Sequence, residues 1–594
     1  MVRRRTVVRK DAKSLALTLL AVSLFPLGAW AQSTPTSTPT LPAAATPGGA
    51  RPFLGREPRP LMAQEYNLAI PPLVERPPGL DEGPKVRVIE FNVLGATDRP
   101  ERGISTEDIK SLLTFKLAKQ PLEGFTINQL QAIADDITLY YRNHGMLLAQ
   151  AVVPAQNVKE GTIALQVIEG SLGSIKVEGN RFYDAENIQG PFAGLLNQPV
   201  DQDEIEQAIL NLQGLPGLTV FGTFRQGQTL GDTELLVSVR EEDRFYIRPS
   251  IDNYGSQFTG DNRLMLEFGV NNITGHADRF SGYVLETANP SNGTYYGLEY
   301  AATTKSTKTS VGIRSEKNRF DVTQASSSAA PLVQGDVQQN DVWVQRRFAN
   351  RRRYRADGTF DLAVKDSVTR TLTGQIQEQR DELTTLGYTF NYYSVSPRQR
   401  GINLGFLRAL GGTNDSNAPS RFHGSTRKPA EDNYTKFELG YQRLQRFKDH
   451  NALLLRINAQ QSDDLLVSLE QFSIGGPANI RAYPIAEGLV DTGAAATLEW
   501  IMDAPGFADR PVGTRTWGDV FQLSFFYDYA GGERNDPFPG EQSKINLHGA
   551  GIGMLFSVSQ KFYLRMDVAK PSSSDPAPSN GKDPQYYVSF NYTF

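Results

Sequence analysis

The feature that most constrains this chain is a two-residue alternation of apolar and polar side chains that runs from Phe245 to the last residue, Phe594. Successive side chains of a β-strand point to opposite faces, so the pattern predicts strands with one apolar and one polar face. Each segment has the ~9–11 residues that a tilted strand needs to cross a bilayer. The clearest apolar series are Leu453, Leu455, Ile457 and Ala459; Phe521, Leu523, Phe525, Tyr527 and Tyr529; and Phe562, Leu564, Met566 and Val568.

A closed barrel explains so many consecutive segments better than a soluble sandwich, in which the apolar face would be a core shared by two sheets. In lipid every backbone N–H and C=O group must be paired, so a sheet that crosses a membrane cannot keep an open edge. With ~22 residues for each strand and its connection, the region 244–594 holds roughly 16 strands. The sequence therefore predicts an all-β transmembrane barrel of about 16 antiparallel strands.

The final segment is the most specific local signal in the chain. Its apolar residues are Val588, Phe590, Tyr592 and Phe594, and they alternate with serine, asparagine and threonine. An amphipathic strand that ends in phenylalanine is typical of bacterial outer-membrane barrels. We expect it to close the barrel against the first strand and to be read by the barrel-assembly machinery.

The N-terminus has the composition of a secretory signal peptide, predicted over residues 1–31. A basic stretch is followed by an apolar run, Leu15 to Leu27, and by the small-residue cleavage pattern Ala29-Trp30-Ala31. The run is too short to span a bilayer as an anchor helix, and no later segment has the ~20 apolar residues of a transmembrane helix. We therefore expect an exported protein without a helical anchor.

Residues 32–84 are predicted to be a linker, because they contain twelve prolines among small and polar residues. Proline removes backbone donors and blocks helices, so this stretch cannot build a core. A short helical piece over residues 61–68 is a candidate plug of the pore.

Between the linker and the barrel, the chain repeats one pattern twice, as two β-α-α-β-β units over residues 85–169 and 170–243. In the first unit a helix is expected after Ser105, with Asp108 placed for a capping box, and a second helix after Thr126, with Gln129 in the same relation. The second helix is expected to stop at Asn143-His144-Gly145. In the second unit the helices are expected near residues 184–196 and 202–213.

Composition argues against several classes of function. The net charge is −4, which gives no global attraction to nucleic acid. The chain has no cysteine, and its five histidines are scattered without metal-ligand spacing. No recognisable nucleophile motif accompanies them. We therefore expect no catalysis, no cofactor and no metal site.

Three further stretches carry a family resemblance. They are Asp252-Asn253-Tyr254-Gly255, which resembles a first barrel hairpin; Ile480-Arg481-Ala482-Tyr483; and Phe526-Tyr527-Asp528. With the order of signal peptide, proline-rich segment, two modules and barrel, the chain resembles the two-partner secretion transporters. These are the haemolysin-activator and filamentous-haemagglutinin exporters, within the superfamily of POTRA-bearing barrels.

The resemblance implies a role for Arg481 and Asp528. In the family the arginine lies at the tip of a long loop folded into the lumen and reaches the aspartate on the barrel wall. Asp528 lies on the polar face of its strand, which agrees with that position. A pair in a water-filled lumen would contribute only about 0–1 kcal/mol. The family's glycine is Ala482 here, and alanine would be strained if this position had a positive φ.

The function implied is export of one large partner polypeptide across the outer membrane. The modules would lie in the periplasm and recognise the unfolded partner, which would then pass through the lipid-embedded barrel. The partner could be an adhesin, a cytolysin, a contact-inhibition toxin or an iron-scavenging protein.

Two alternatives share parts of this pattern. An insertase that assembles outer-membrane proteins would use similar modules, although housekeeping insertases usually carry more than two. A passive solute pore would have a polar lumen but would not need globular modules.

Overall fold

The computed structural model describes residues 43–52, 68–69, 84–158, 160–229, 231–322, 332–372, 377–396, 400–415, 425–427, 430, 432–537, 541–559 and 561–594. The predicted signal peptide and residues 61–67 of the candidate plug helix lie outside this set. Leu68, the last residue of that candidate helix, belongs instead to a two-residue strand, β1 (Leu68–Ala69).

The first module has the predicted order of elements. They are β2 (Glu90–Leu94), α1 (Thr106–Ala118), α2 (Ile127–Asn143), β3 (Gln150–Val152) and β4 (Thr162–Ile168). The sheet order is β2-β4-β3, with β2 parallel and β3 antiparallel to β4. The apolar residues of α2 recur at helical spacing, so one face of this helix packs into the core; the buried ones are Leu130, Ile133, Ala134, Ile137 and Tyr141.

The helix caps of this module agree with the prediction at α2 and differ at α1. The capping box of Thr126 and Gln129 is confirmed, and α2 ends at Asn143. The box between Ser105 and Asp108 is wrong. Tyr140, on α2, accepts the Ser105 N–H at 3.0 Å and donates its hydroxyl hydrogen to Asp108 at 3.1 Å. The tyrosine thus takes the position that a capping carboxylate would occupy.

The second module repeats the order with longer strands. Its elements are β5 (Ser171–Glu178), α3 (Ala185–Gln189), a 3₁₀ turn (Gly190–Leu195), α4 (Gln202–Gln213), β6 (Leu218–Gln226) and β7 (Asp232–Glu241). The sheet order is β1-β6-β7-β5. The helix predicted near residues 184–196 is divided in two at Gly190-Pro191, because proline cannot donate to the preceding turn.

The barrel is closed and has sixteen strands, which confirms the predicted fold class. Neighbouring strands are antiparallel throughout, and β27 closes the barrel against β8. The strands are β8 (Phe245–Asp252), β9 (Asn262–Asn271), β10 (Arg279–Ala288), β11 (Gly293–Thr303), β12 (Thr309–Val322), β13 (Val333–Arg351), β14 (Tyr354–Thr371), β15 (Gln377–Ser396), β16 (Gly401–Asn414), β17 (Asn433–Lys448), β18 (Asn451–Gln461), β21 (Thr492–Asp503), β24 (Phe521–Glu533), β25 (Lys544–Ser559), β26 (Phe562–Pro571) and β27 (Gln585–Tyr592).

Alternation along the strands sets which side chains face outward. On β24, Phe525 and Tyr527 are exposed on the outer face, whereas Phe526 and Asp528 are buried on the inner face. Several strands are longer than the ~9–11 residues expected for a crossing. The longest are β13, β14 and β15, with 19, 18 and 20 residues.

Short elements lie in two of the barrel connections. Between β18 and β21 are β19 (Phe472–Ile474) and β20 (Gly488–Val490), which form a hairpin. Between β21 and β24 are β22 (Pro511–Val512), β23 (Arg515–Thr516) and α5 (Trp517–Val520). The first of these connections leaves the barrel at the end far from the modules, because β8 begins beside the second module and the direction alternates thereafter.

The second module contacts the barrel turns at its own end of the barrel. Asn350 donates to the side-chain oxygen of Asn211 on α4 at 2.9 Å. The Arg352 N–H donates to Glu206, also on α4, at 2.9 Å. Burial raises the pKa of Glu206, although this bond favours its charged form. These contacts hold α4 against the turn between β13 and β14.

Candidate gating site in the barrel lumen

The connection between β18 and β21, residues 462–491, folds back into the barrel and is called the lumen loop here. Its tip lies between β19 and β20, where the Gly476 N–H donates to the Tyr483 carbonyl oxygen at 3.0 Å. Ile480, Ala482 and Tyr483 are fully buried and pack against inner-wall residues, including Phe526. The loop tip therefore rests on the wall formed by the last strands of the barrel.

Arg481 reaches from the loop tip to Asp528 on β24. Its Nε donates to Oδ2 at 2.8 Å and its Nη2 donates to Oδ1 at 2.9 Å, so the guanidinium binds the carboxylate through two parallel hydrogen bonds. The Arg481 backbone N–H adds a third bond to Oδ2 at 3.1 Å. Such bidentate geometry fixes orientation as well as distance.

Two more carboxylates and a second arginine complete the cluster. Arg481 Nη1 donates to Glu499 on β21 at 3.1 Å and lies 3.6 Å from Asp567 on β26. Arg565, also on β26, binds Glu499 at 3.2 Å and Asp567 at 2.8 Å. Two cations thus face three carboxylates, and together they join the loop tip to three strands of the wall.

The Arg481–Asp528 pair is buried, which differs from the solvent-exposed pair expected from sequence. The Arg481 and Asp528 side chains are 3% and 1% exposed. The guanidinium also lies over the ring of Phe526, with its carbon 3.2 Å from the ring centroid. Hydrophobic residues of the loop and wall exclude solvent here, so the pair belongs with buried ion pairs, whose disruption costs about 3–5 kcal/mol.

Ala482 occupies the position of the family glycine without backbone strain, because its φ is not in the left-handed region. The steric constraint lies on the wall instead. A Cβ at Gly549 on β25 would be 2.3 Å from the Ala482 Cβ. The loop methyl group therefore fills the space that the missing wall side chain leaves open.

Tyr483 ties the tip to the end of the chain. Its hydroxyl donates to the Pro576 carbonyl oxygen at 2.8 Å, and its own carbonyl oxygen accepts from the Tyr587 hydroxyl at 2.6 Å. Tyr587 lies on β27 and its ring meets that of Tyr254 edge-on. The motif Ile480–Tyr483 thus contacts β27 directly, and Tyr587 connects it to Tyr254, which follows β8.

The base of the lumen loop is held by ion pairs that sequence reasoning did not identify. Glu470 binds Lys365 on β14 at 2.5 Å and Lys436 on β17 at 3.1 Å, and all three side chains are buried. Asp491 binds Arg427 at 3.0 Å and accepts the Leu466 N–H at 3.0 Å. The alternation along their strands predicts that Lys365 and Lys436 face the lumen, but it does not predict that Glu470 binds them.

A segment of the proline-rich linker, residues 43–52, also lies inside the barrel and is called the lumen segment here. Ala45 packs among inward-facing residues of the wall and against Leu466, Val467 and Leu469 of the lumen loop. A Cβ at Gly48 would be 1.8 Å from the Ser468 carbonyl oxygen, so only glycine fits. The Ala50 carbonyl oxygen accepts from Asn318 at 3.2 Å. The part of the linker seen in the lumen therefore precedes the predicted plug residues 61–68.

The C-terminal signal residues Val588, Phe590, Tyr592 and Phe594 lie on or just after β27. This strand pairs with β8 at three positions only, whereas the other neighbours in the barrel pair at eight or more. The Phe594 N–H donates to the Ile247 carbonyl oxygen at 3.1 Å. The closure is thus the shortest ladder in the barrel.

The described residues offer neither a metal site nor a membrane-spanning helix. No group of three or more histidine, aspartate and glutamate residues is arranged there to hold a metal ion. No helix among these residues is long and apolar enough to cross a membrane.

Two regions of the chain match known protein families. Residues 231–501 match the family described as haemolysin secretion/activation protein ShlB/FhaC/HecB, and residues 101–170 match the ShlB-type POTRA domain. The chain therefore carries a domain of this family, preceded by a POTRA domain of the same type. It is therefore an outer-membrane β-barrel whose POTRA modules lie in the periplasm, as predicted, and the family that its barrel region matches is one of secretion proteins.

Individual relatives agree with this assignment. The heme/hemopexin transporter protein HuxB of Haemophilus influenzae strain 86-028NP is 22% identical over 513 residues, which cover 84% of this chain and 86% of HuxB. The outer membrane transporter CdiB of Escherichia coli is 27% identical over 222 residues, 37% of this chain and 36% of CdiB.

Solved structures share the fold. CdiB from Escherichia coli aligns with a TM-score of 0.64 at 18% identity and covers 88% of this chain and 93% of its own. BamA from Haemophilus ducreyi lacking POTRA domains 1–3 aligns with a TM-score of 0.52 at 14% identity, over 86% of this chain and 99% of its own.

Proposed function

We propose that this chain takes up one unfolded partner polypeptide in the periplasm and passes it through its barrel to the outside. The family and its relatives support transport of a partner protein in general. The observation that carries the finer proposal is the lumen loop, which is held inside the barrel by the buried cluster around Arg481 and Asp528. A loop attached in this way can act as a gate that has a defined closed position.

The lumen segment adds a second obstruction. Residues 43–52 contact both the inner wall and the base of the lumen loop. A passive solute pore does not need two segments packed into its lumen, so this arrangement favours a channel that opens only for its client. Opening must displace the loop tip, the lumen segment or both.

The modules offer a plausible chemistry of uptake. An extended client can add a strand to a sheet edge, where main-chain hydrogen bonds give affinity with little demand on sequence. The periplasm has no ATP and the outer membrane holds no steady potential. Folding of the client outside the cell therefore has to make the passage one-way.

Arg481→Ala is the variant that tests the gate. We expect the barrel to assemble, because the cluster joins a loop to the wall and does not form the ladder between strands. We also expect export of the partner to fall by at least tenfold, since a loop released from the wall has no defined closed or open state. Heat-modifiable gel migration reports assembly, and the partner in the culture medium reports export.

Arg319→Ala is the matched control. Arg319 also binds an aspartate, Asp336, at 3.0 Å, but its side chain is solvent-exposed. This variant should assemble and export normally. Normal export by Arg481→Ala would refute the gating role, and failure of both variants to assemble would point to general damage to the barrel.

An outer-membrane insertase is the alternative with the same fold, since BamA resembles this structure. Deletion of the gene separates the two functions. Loss of an exporter removes one protein from the cell surface, whereas loss of an insertase depletes many outer-membrane proteins.

The partner itself is proposed to be a large secreted polypeptide. HuxB is named for heme and hemopexin transport, so an iron-scavenging partner is one candidate beside an adhesin, a cytolysin or a contact-inhibition toxin. A large exported protein with a repetitive β pattern, encoded next to this gene, would identify it.

A further inference from the structure

A cavity of about 480 Å³ opens into the lumen on the wall formed by the six adjacent strands β13 to β18, and is called the entrance cavity here. β13 contributes residues close to its end at Arg351, in the turn that α4 contacts, so the cavity begins at the periplasmic end of the lumen. At its other end lies Arg456 on β18, whose partner in register, Thr497, is two residues from Glu499. The entrance cavity therefore lies between the second module and the strands that hold the tip of the lumen loop.

Positive charge exceeds negative charge on the wall of this cavity. Three arginines line it, Arg347, Arg355 and Arg456, against one carboxylate, Asp357. Asp357 accepts hydrogen bonds from two side-chain amides at 2.8 and 3.2 Å, and the Arg355 guanidinium lies 3.6 Å from it. The single carboxylate is thus already shared, and it cannot neutralise the arginines around it.

Arg347 is the cation with the most binding capacity to spare. Within the described part of the chain no carboxylate lies close enough to form an ion pair with it, and its Nε is buried without a hydrogen-bond acceptor. A Cβ at Gly214 would be 3.0 Å from its Nη1, so the guanidinium lies at the C-terminal end of α4. The partial negative charge of a helix end attracts a cation but amounts to only about half a charge. Because buried donors are normally bonded, Arg347 indicates a binding site for an anion.

A second lumen cavity, further from the modules, shows that polar walls do not by themselves leave arginines unpaired. It measures about 360 Å³ and is also lined by several cations. Arg408 donates to Asp361 there at 2.8 Å, and Arg314 donates to Asp341 at 3.0 Å. The excess of positive charge is therefore a property of the entrance cavity.

Side-chain amides accompany the arginines of the entrance cavity; they are Gln345, Asn391, Gln442 and Asn458. An amide side chain carries both donors and an acceptor, so it can bind the main chain of an extended polypeptide of any sequence. Arginine binds a carboxylate through two parallel hydrogen bonds. The combination suits an acidic polypeptide better than a small free anion, which offers nothing for the amides to bind as main chain.

We propose that the entrance cavity binds aspartate and glutamate side chains of the exported polypeptide, with Arg347 and Arg355 as the residues that take the carboxylates. The inference rests on the proposed function, because the polypeptide must pass this wall on its way through the barrel. It assigns to the barrel itself, beside the modules, a step in which acidic segments of the client are held at the periplasmic end of the lumen.

Peptide binding tests the site in the full-length protein in a neutral detergent. The probe is a fluorescent peptide of alternating glutamate and serine, and two comparison peptides carry glutamine or lysine in place of glutamate. Fluorescence anisotropy measures binding at low ionic strength, because salt screens the attraction between charges. We expect the wild type to bind the glutamate peptide at least tenfold more tightly than the glutamine peptide.

Arg347→Gln with Arg355→Gln removes both proposed ligands and should weaken binding of the glutamate peptide at least tenfold. The matched control is Arg346→Gln with Arg353→Gln, which removes the same charge at neighbouring positions that are exposed and do not line the cavity. The control should bind the peptide as the wild type does. Unchanged binding by the cavity variant, or an equal loss in both variants, would overturn the proposal.

Charge reversal distinguishes a binding site from damage to the fold. Arg347→Glu with Arg355→Glu should bind the lysine peptide at least tenfold more tightly than the glutamate peptide, and a retained preference for glutamate would contradict the proposal. Heat-modifiable migration reports assembly of each variant. If the double variants do not assemble, Arg347→Gln and Arg355→Gln alone should each weaken binding of the glutamate peptide at least threefold, and unchanged binding by both would count against the site.

Export provides the second measurement. Arg347→Gln with Arg355→Gln should lower secretion of the partner at least fivefold relative to the matched control. If this variant exports normally, the entrance cavity does not serve the client and the proposal fails, while the exporter assignment stands. If the wild type exports no partner, the proposed function fails, and the peptide experiment still decides whether the cavity binds carboxylates.

Discussion

Loss of the Arg481 side chain should release the lumen loop by an amount that the structure allows us to estimate. Arg481→Ala removes both parallel bonds to Asp528 and leaves that carboxylate buried, with only the Arg481 backbone N–H as a donor from the loop. Removing one partner of a buried pair costs about 3–5 kcal/mol. Because each 1.4 kcal/mol is a factor of ten, the open population of the loop should rise roughly 100- to 4,000-fold.

Thiol labelling can measure this opening, since the native chain has no cysteine. Ile480→Cys puts a fully buried reporter at the loop tip, next to Arg481. The rate of maleimide labelling follows the open population when labelling is slower than closing. The same reporter is present in every variant, so its own effect on the loop cancels from the ratios.

Asp528→Asn in the Arg481→Ala background separates charge from packing. The amide no longer requires a cation, so the double variant should be labelled at least about tenfold more slowly than Arg481→Ala alone; coupling of this size is usual for residues in contact. Equal rates for the two would show that the lost packing on Phe526 dominates. If Arg481→Ala raised the labelling rate by less than about fivefold, the Arg481–Asp528 pair would contribute no more than a solvent-exposed ion pair does. That result would refute the reasoning from burial.

Three further predictions concern other parts of the chain. Gly549→Ala should speed labelling of the loop tip because its Cβ would overlap that of Ala482, and adding Ala482→Gly should reverse the effect. Burial opposes ionisation of Glu241, but N–H bonds from residues 181–183 outweigh it and hold its pKa below the usual 4.5. The stability that the charged Glu241 contributes is therefore present above pH 4.5 and is lost as the pH falls through the lowered pKa. Because a charged acceptor strengthens a hydrogen bond, Glu241→Gln should speed hydrogen exchange of the amides of residues 181–183 about tenfold at pH 7. Deletion of Phe594 should reduce the amount of assembled barrel in the membrane, measured by heat-modifiable migration, and leave the modules folded by proteolysis.

Local patterns predicted much of the fold because each of them depends only on residues that are close in the sequence. The capping box at Thr126 and Gln129 needs only four consecutive residues, and the side-chain direction at Asp528 needs only the period of its own strand. The box at Ser105 failed because a side chain distant in sequence, Tyr140, intervened. The helix predicted near residue 190 is divided in two because Pro191 cannot donate a hydrogen bond to the preceding turn.

The sequence by itself determined that the chain forms modules and a barrel, because strand alternation, helix caps and turns depend on residues that are adjacent in the sequence. Only the tertiary structure decided which groups meet inside. Glu470 finds Lys365 and Lys436, and β1 finds β6, across stretches of chain whose approach depends on strand register and barrel closure. Burial then makes those contacts strong, since charges and backbone groups removed from water must find partners within the protein.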